Sequence, residues 1–439
     1  MRSIRTEIQA IRFGSLSFKM RMLATFAIFM FVTFTPLRGQ TPRPIPFKSS
    51  IKNVQPMTGI VLWTTNEAIE SAPIQLEYAY LTYREVTNPD GTFRWSALEK
   101  LLSEVAGRKH QLILRWHDTY VGKKTGVPEH ITNQSDYKVI QGKSEKKATE
   151  FPDWSYSALQ QFILDFFTEF GKRYDNDPRL AYVQVGFGLW AEYHIYDGPM
   201  ELGKTFPSKE YQSKFLSHVG TCLSNTPWMI SVDSANSDWS PLEGNEKLLK
   251  LKFGLFDDSF NHKQHKQENA PNWRILGLDR WQNAPTGGEF AFFDPVEQKK
   301  ALAPKGPYGI SFEEQAALYH VSFMIGDAQP EYQKPDRIRQ AGMSTGYAFQ
   351  ITRFESDTGQ TILEIENRGI ASCYFDAYPA INGTRSDKTL KGLLPGASRS
   401  FTINAGSATP TLQIQSDRLV PGQSIEFSAD LNEARLSKP

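Results

Sequence analysis

The sequence predicts an α/β fold: a (β/α)8 TIM barrel followed by a small all-β sandwich. Short continuous apolar runs such as "GIVLW", "QLILR" and "LAYVQVGFG" alternate with amphipathic stretches. That is the pattern of a parallel sheet covered by helices. About eight such units follow residue 57, which suits a closed barrel better than an open doubly wound sheet, and no glycine-rich phosphate loop follows the first run. After residue 342 the helical pattern gives way to short alternating segments separated by turn residues, the signature of a sandwich.

The elements follow in order. Residues 1–40 read as an export signal with a possible upstream extension: Lys19 and Arg21 precede the apolar run 22–34, and Gly39 offers a small residue for cleavage. The run is shorter than the roughly 20 residues of a membrane span. No cysteine follows it to carry a lipid, so the mature chain is expected to be secreted or periplasmic without a membrane anchor. Residues 41–341 are assigned to the barrel and 342–439 to the sandwich. The eight strands are read in "TGIVLWTTNE", "IQLEYAYLTYREV", "QLILRWHDTY", "LAYVQVGFGLW", "WMISVDS", "FGLFDDSF", "PTGGEFAFF" and "SFMIGD". Helices are expected in "SALEKLLSEVAGRKH", where Ser96 and Glu99 form a capping box, and in "SYSALQQFILDFFTEFGKRY". Further helices are expected in "KEYQSKFLSHVGTCLS", "NEKLLKL" and "SFEEQAALYHV". Residues 121–152 form a polar insertion after the third strand, placed to wall a cleft at the C-terminal face.

Composition narrows the function. The chain of 439 residues is 40% apolar and 22% charged, enough to bury a large core. With 49 basic and 48 acidic residues it has no surplus to attract nucleic acid. Cys222 and Cys373 fall in different predicted domains, so no disulfide is expected. No Cys/His spacing points to zinc, and His262 and His265 of "NHKQH" read as part of a solvated polar stretch, so neither metal nor cofactor is expected. Aromatic residues make up 13%; those at strand ends are either core or flat platforms for sugar rings.

In a barrel of this type, chemistry gathers where the strands end. The first strand delivers Trp63, Asn66 and Glu67, the second Tyr83, Arg84 and Glu85, and the third Arg115, Trp116, His117 and Asp118. The fourth delivers Trp190, Glu192, Tyr193 and His194, the fifth Asp233 and Asn236, the sixth Asp257 and Asp258, and the seventh Glu289. Two carboxyl groups facing one bond are what glycoside hydrolysis uses: one protonates the leaving oxygen, and the other attacks or activates water.

The order "NPDGTFRW", "LILR", "GFGLWAEYH", "APTGGEF" and "GYAFQI…LEIENRG" resembles a family of exported bacterial proteins known as a domain of unknown function, over roughly residues 57–430. The resemblance implies a barrel similar to the retaining β-glycosidases of clan A, with a β-sandwich behind it. It further implies a β-linked poly- or oligosaccharide as substrate, Glu192 as acid/base after strand four and Glu289 as nucleophile after strand seven. Arg115, Trp116, His117, Trp190, Tyr193, His194, Asn236 and Asp257 are then expected to bind substrate. One departure stands out: clan A enzymes usually carry Asn before the acid/base, and here that residue is Ala191, nearer to the Gly often found in the resembled family. Asp257 and Asp258 are rival nucleophiles, and Arg115 or Lys204 could tie Glu192 into a structural ion pair. Two other functions stay open: a carbohydrate-binding or scaffold protein that has lost catalysis, and a polysaccharide lyase using His117, His194 or Tyr193 as base.

Overall fold

The computed structural model describes residues 41–260 and 262–432. The expected export signal, residues 1–40, lies outside them. Eight parallel strands close a barrel: β1 Gly59–Trp63, β2 Leu76–Thr82, β3 Gln111–His117, β4 Leu180–Gln184, β5 Trp228–Ser231, β6 Phe253–Phe260, β7 Thr286–Phe290 and β8 Phe323–Ile325. Each is hydrogen-bonded to its neighbours in chain order and β8 returns to β1. All eight fall within the runs named above. The chain is therefore a TIM barrel, followed by mainly antiparallel β-sheets.

Helices α1 Ser96–Gly107, α2 Ser157–Tyr174, α3 Lys209–Cys222 and α4 Glu246–Leu249 follow β2 to β5 in turn. After β6 comes α5 Lys263–Leu276, after β7 come α6 Pro295–Lys300 and α7 Phe312–Leu318, and α8 Pro335–Met343 precedes the sandwich. The α1 cap differs from expectation: Ser96 is the first helical residue, and Trp95 before it makes no side-chain cap. The polar α5 was not expected as a whole helix, since it contains Pro271 and lacks an apolar stripe.

Strand parity divides the side chains. Leu112, Leu114 and Trp116 of β3 point outward into the layer shared with α2, beside Phe166 and Phe170. Ile113 points inward with Tyr78, Tyr182, Met229, Phe256 and Phe323. The structure therefore corrects the expectation for Trp116. It is fully buried, stacks on Tyr83 with ring centroids 5.9 Å apart and meets Phe166 edge-on at 4.8 Å, so it cannot touch a substrate. Glu77 is likewise structural: it points outward, fully buried, and receives Arg108 at 2.8 and 2.6 Å and His110 at 2.8 Å.

The sandwich strands are β9 Phe349–Ser356, β10 Thr361–Asn367, β11 Tyr378–Ile381, β12 Ser398–Ile403, β13 Leu412–Gln415 and β14 Phe427–Leu431. The order β12-β10-β9-β14 forms the larger sheet, while β11 and β13 belong to a smaller one. Arg43–Pro44 and Phe47–Ser49, assigned by sequence to the barrel, instead pair with β9 and β14. The sandwich lies against the N-terminal end of the barrel. Arg418 donates to the carbonyl of Leu180, the first residue of β4, at 2.8 Å, and its own carbonyl accepts from Gln111, the first residue of β3, at 2.8 Å. Tyr347 reaches the Pro56 carbonyl at 3.1 Å, and its ring joins the same apolar cluster as the barrel interior. Both cysteines are free.

Removing the buried Trp116 ring leaves a cavity that rigid strands and helices cannot close. Trp116→Ala is expected to cost about 3–5 kcal/mol of stability, read from urea unfolding; a cost below about 1 kcal/mol would contradict its place in the core.

Candidate active site

The same parity that buries Trp116 sends Arg115 inward. Its guanidinium is 1% exposed and sits over the Phe256 ring, 4.3 Å from the centroid. Nε donates to Gln184 Oε1 at 2.6 Å, and that oxygen also accepts from the Tyr78 hydroxyl at 2.8 Å. The remaining nitrogens reach upward: Nη1 donates to Glu192 Oε1 at 2.6 Å, and Nη2 to Asp258 Oδ1 at 2.7 Å. One cation thus holds two carboxylates from different strands side by side. Lys204, the other candidate partner of Glu192, pairs with Glu201 instead.

Glu192 is delivered by a backbone that few residues tolerate. Within "GLWAEYH" the φ angles of Gly188, Trp190, Ala191 and Tyr193 are 80°, 52°, 64° and 65°. Left-handed conformations at non-glycine residues cost of order 1–3 kcal/mol each and persist only where the surroundings enforce them. Here Trp190 N–H donates to Thr119 O at 2.9 Å, Tyr193 N–H to Phe187 O at 2.9 Å and Leu189 N–H to His194 O at 2.9 Å. Ala191 holds a conformation that glycine adopts without strain. A Cβ on Gly186 would come within 2.0 Å of the Ala191 carbonyl oxygen, so the turn closes only over glycine.

Above Arg115 opens a cleft of about 1030 Å³, lined by Glu192, Glu289, Trp190, Tyr193, His194, Asn236 and Asp257 among others. Seven of the ten expected site residues therefore border one cavity, and Arg115 lies buried behind its lining carboxylates Glu192 and Asp258. Tyr193 contributes little open surface: it is 2% exposed and packs on Phe187 and Phe206. His117 lies elsewhere, lining a second pocket beyond Tyr80 and Tyr120. Asp257 sits on the outward parity and is tied down beneath α5, accepting from Asn269 at 2.9 Å and Trp273 at 3.3 Å.

The cleft is acidic. Glu192, Asp233, Asp257, Asp258, Glu289 and Asp327 all line it, and among the described residues no lysine or arginine does. Burial raises the Glu192 carboxyl well above its usual range; Asp258 raises it further, and the Arg115 contact only partly opposes them. Burial, then Asp258, push Glu289 up to about 8. Asp258 is also raised by burial, with Arg115 pulling it back. His194 Nδ1 lies 3.0 Å from Asp233, and its Nε2 lies 3.7 Å from Glu192 Oε2.

Tyr80, Gln184, Asp258 and Asp327 complete the site. The sequence alone presents Asp258 only as a rival nucleophile. Gln184, a lone amide in an apolar strand, is a signal that sequence reading passed over. Asp327 accepts from Trp63 N–H and Asn66 Nδ2, both at 2.8 Å, and so ties the ends of β1 and β8 together. Among the described residues, His262, Asp294 and Glu297 place potential metal-ligand atoms within 4.8 Å of one another. One oxygen of Asp294 already caps α6 through Val296 and Glu297 N–H.

No protein-family model matches the chain, and neither does any curated protein. Among solved structures it is similar to endo-glycoceramidase II from Rhodococcus sp., with 9% identity, 81% of this chain and 100% of that one covered, and a TM-score of 0.39. It is similar to a glycoside hydrolase family 30 subfamily 8 xylanase from Clostridium acetobutylicum, with 11% identity, 82% and 97% covered, and a TM-score of 0.36. A GH5-4 endoglucanase from an uncultured bacterium matches with 9% identity, 66% and 85% covered, and a TM-score of 0.37. Likenesses this distant assign no family and carry no argument about activity; the site must be read on its own chemistry.

Glu289 holds a proton in the folded chain that the unfolded chain has given up, between its ordinary value of 4.5 and about 8. It therefore contributes stability at acid pH that is lost as pH rises across that window. Glu289→Gln is expected to lessen the fall in unfolding midpoint between pH 5 and pH 8. An equal fall in variant and wild type would contradict the raised carboxyl.

Proposed function

We propose that the protein is a glycoside hydrolase acting on a β-linked poly- or oligosaccharide, with Glu192 as acid/base and Glu289 as nucleophile. The observation that carries the reading is a pair of carboxyl groups, one from the turn after β4 and one from β7, both held toward the protonated form, over one large cleft with aromatic walls. A raised carboxyl is what a general acid needs near neutral pH. The nucleophile must be ionised, so the reading requires the pair to share protons: with Glu192 protonated, the repulsion on Glu289 falls and its proton leaves more readily. Trp190 and Trp63 offer apolar faces for sugar rings, while Asn236 and His194 are placed to hold hydroxyl groups in the absence of an Asn before Glu192. Asp258 is the alternative nucleophile, because Arg115 favours its charged form.

A second reading, a carbohydrate-binding protein without catalysis, is favoured by one contact. Arg115 meets Glu192 at 2.6 Å and so opposes the proton that an acid catalyst must carry.

Sugar release from a panel of polysaccharides separates the readings. Glu192→Gln and Glu289→Gln are each expected to lower release by about 10²–10⁴-fold, with products retaining anomeric configuration by NMR. Asp258→Asn serves as the third arm. Loss in that variant, with activity kept in Glu289→Gln, would move the nucleophile to Asp258; binding without release by the wild type would favour the second reading.

A further inference from the structure

Beside the acidic cleft lies a second pocket of about 540 Å³, and its charge is opposite. Its walls carry Arg84, Lys123 and Lys124, with Glu85 as the one carboxylate among the described residues. Glu85 is already engaged, accepting from Thr82 N–H at 2.7 Å and Thr82 Oγ at 2.8 Å. Arg84 donates to the Val127 carbonyl at 3.0 Å, and Lys123 lies over the Tyr120 ring, 4.0 Å from its centroid. Among the described residues none of the three cations meets a carboxylate within ion-pair distance. At the base, His117 is 93% buried and its Nδ1 has no hydrogen-bond partner. An unsatisfied buried polar atom is costly, and this one belongs to a residue lining the pocket.

The two cavities are joined by their walls: Trp63, Tyr80 and Tyr120 line both. A glycan lying across these rings would place one unit over Glu192 and Glu289 and the next among the cations. Carboxylates line the cleft, and among the described residues no lysine or arginine does, so it disfavours an anionic unit; the neighbouring pocket carries three cations and suits one. We propose that this pocket is a subsite for an anionic sugar unit, one bearing a carboxylate or a sulfate, so that the substrate is an acidic polysaccharide. The proposal rests on the glycan reading of the cleft but not on catalysis.

Binding tests it. Calorimetry on the full chain carrying Glu192→Gln, which suppresses turnover, compares three oligosaccharides of equal length: an oligouronate, a sulfated oligogalactan and the neutral oligogalactan. At low salt one anionic ligand is expected to bind about tenfold or more tighter than the neutral one, as charge-assisted hydrogen bonds allow. That advantage is expected to shrink with added salt. Adding Lys123→Gln and Lys124→Gln, both at exposed positions, is expected to remove most of it, with an unchanged urea unfolding midpoint reporting an intact fold. Preference for uronate or for sulfate identifies the group. Equal binding of neutral and anionic ligands, an advantage that survives the double substitution, or no anionic binding at all would overturn the subsite. Release of neutral sugars by the wild type in that case would leave the hydrolase reading standing.

Discussion

A single buried guanidinium organises this molecule's working end. Arg115 arrives on the inward parity of β3, lies on the Phe256 ring and spends its hydrogen bonds on Gln184, Glu192 and Asp258. A buried cation is tolerated only when paired and hydrogen-bonded. Conversely, the two carboxylates would be costly without it. But the charge count does not balance. Glu192, Asp258 and Glu289 gather around one positive group, so the cleft can reach low energy by keeping a proton. The acid chemistry proposed for the site is thus a consequence of how charge is buried, not an added feature.

The scaffold makes this arrangement rigid. Sequential parallel strands bring residues that are far apart in the chain to one rim, and the sandwich closes the opposite end through Arg418, Gln111 and Tyr347. The left-handed turn through Trp190, Ala191 and Tyr193 is anchored by backbone hydrogen bonds to Thr119 and Phe187. The polar insertion after β3 contributes twice. Ser144, in the hairpin formed by Ile140–Ser144 and Lys147–Phe151, donates to the Tyr196 carbonyl at 2.8 Å, bracing the Glu192 loop, and Lys123 and Lys124 wall the cationic pocket. Opposite charge on adjoining cavities gives a direction to any chain lying across them.

Much of this was legible in the sequence for physical reasons. Most barrel strands are buried on both faces, so they appear as apolar runs that end abruptly at polar groups; the second was legible instead by its alternation, and the seventh lay at the Gly-Gly-Glu that carries Glu289. The same double burial hides parity. Nothing in "QLILRWH" tells which of Arg115 and Trp116 faces inward, and the sequence reading placed both at the site. Asp257 and Asp258 pose the same problem, settled only by the packing of Asp257 beneath Trp273. The helix α5 was obscured by Pro271 and a polar face. Residues 43–49 were assigned to the barrel because pairing with residues about 310 to 385 positions later leaves no local mark. The second pocket was invisible for a related reason: Arg84, His117 and Lys123 come from different segments.

The account turns on whether the Arg115 cluster retains a proton, and carboxyl NMR reads that directly. In protein labelled with ¹³C at the glutamate side-chain carboxyls, resonances assigned by Glu192→Gln and Glu289→Gln are followed from pH 4 to pH 9. At least one of the two is predicted to titrate at or above neutrality. Both titrating near 4.5, like ordinary glutamates, would contradict it.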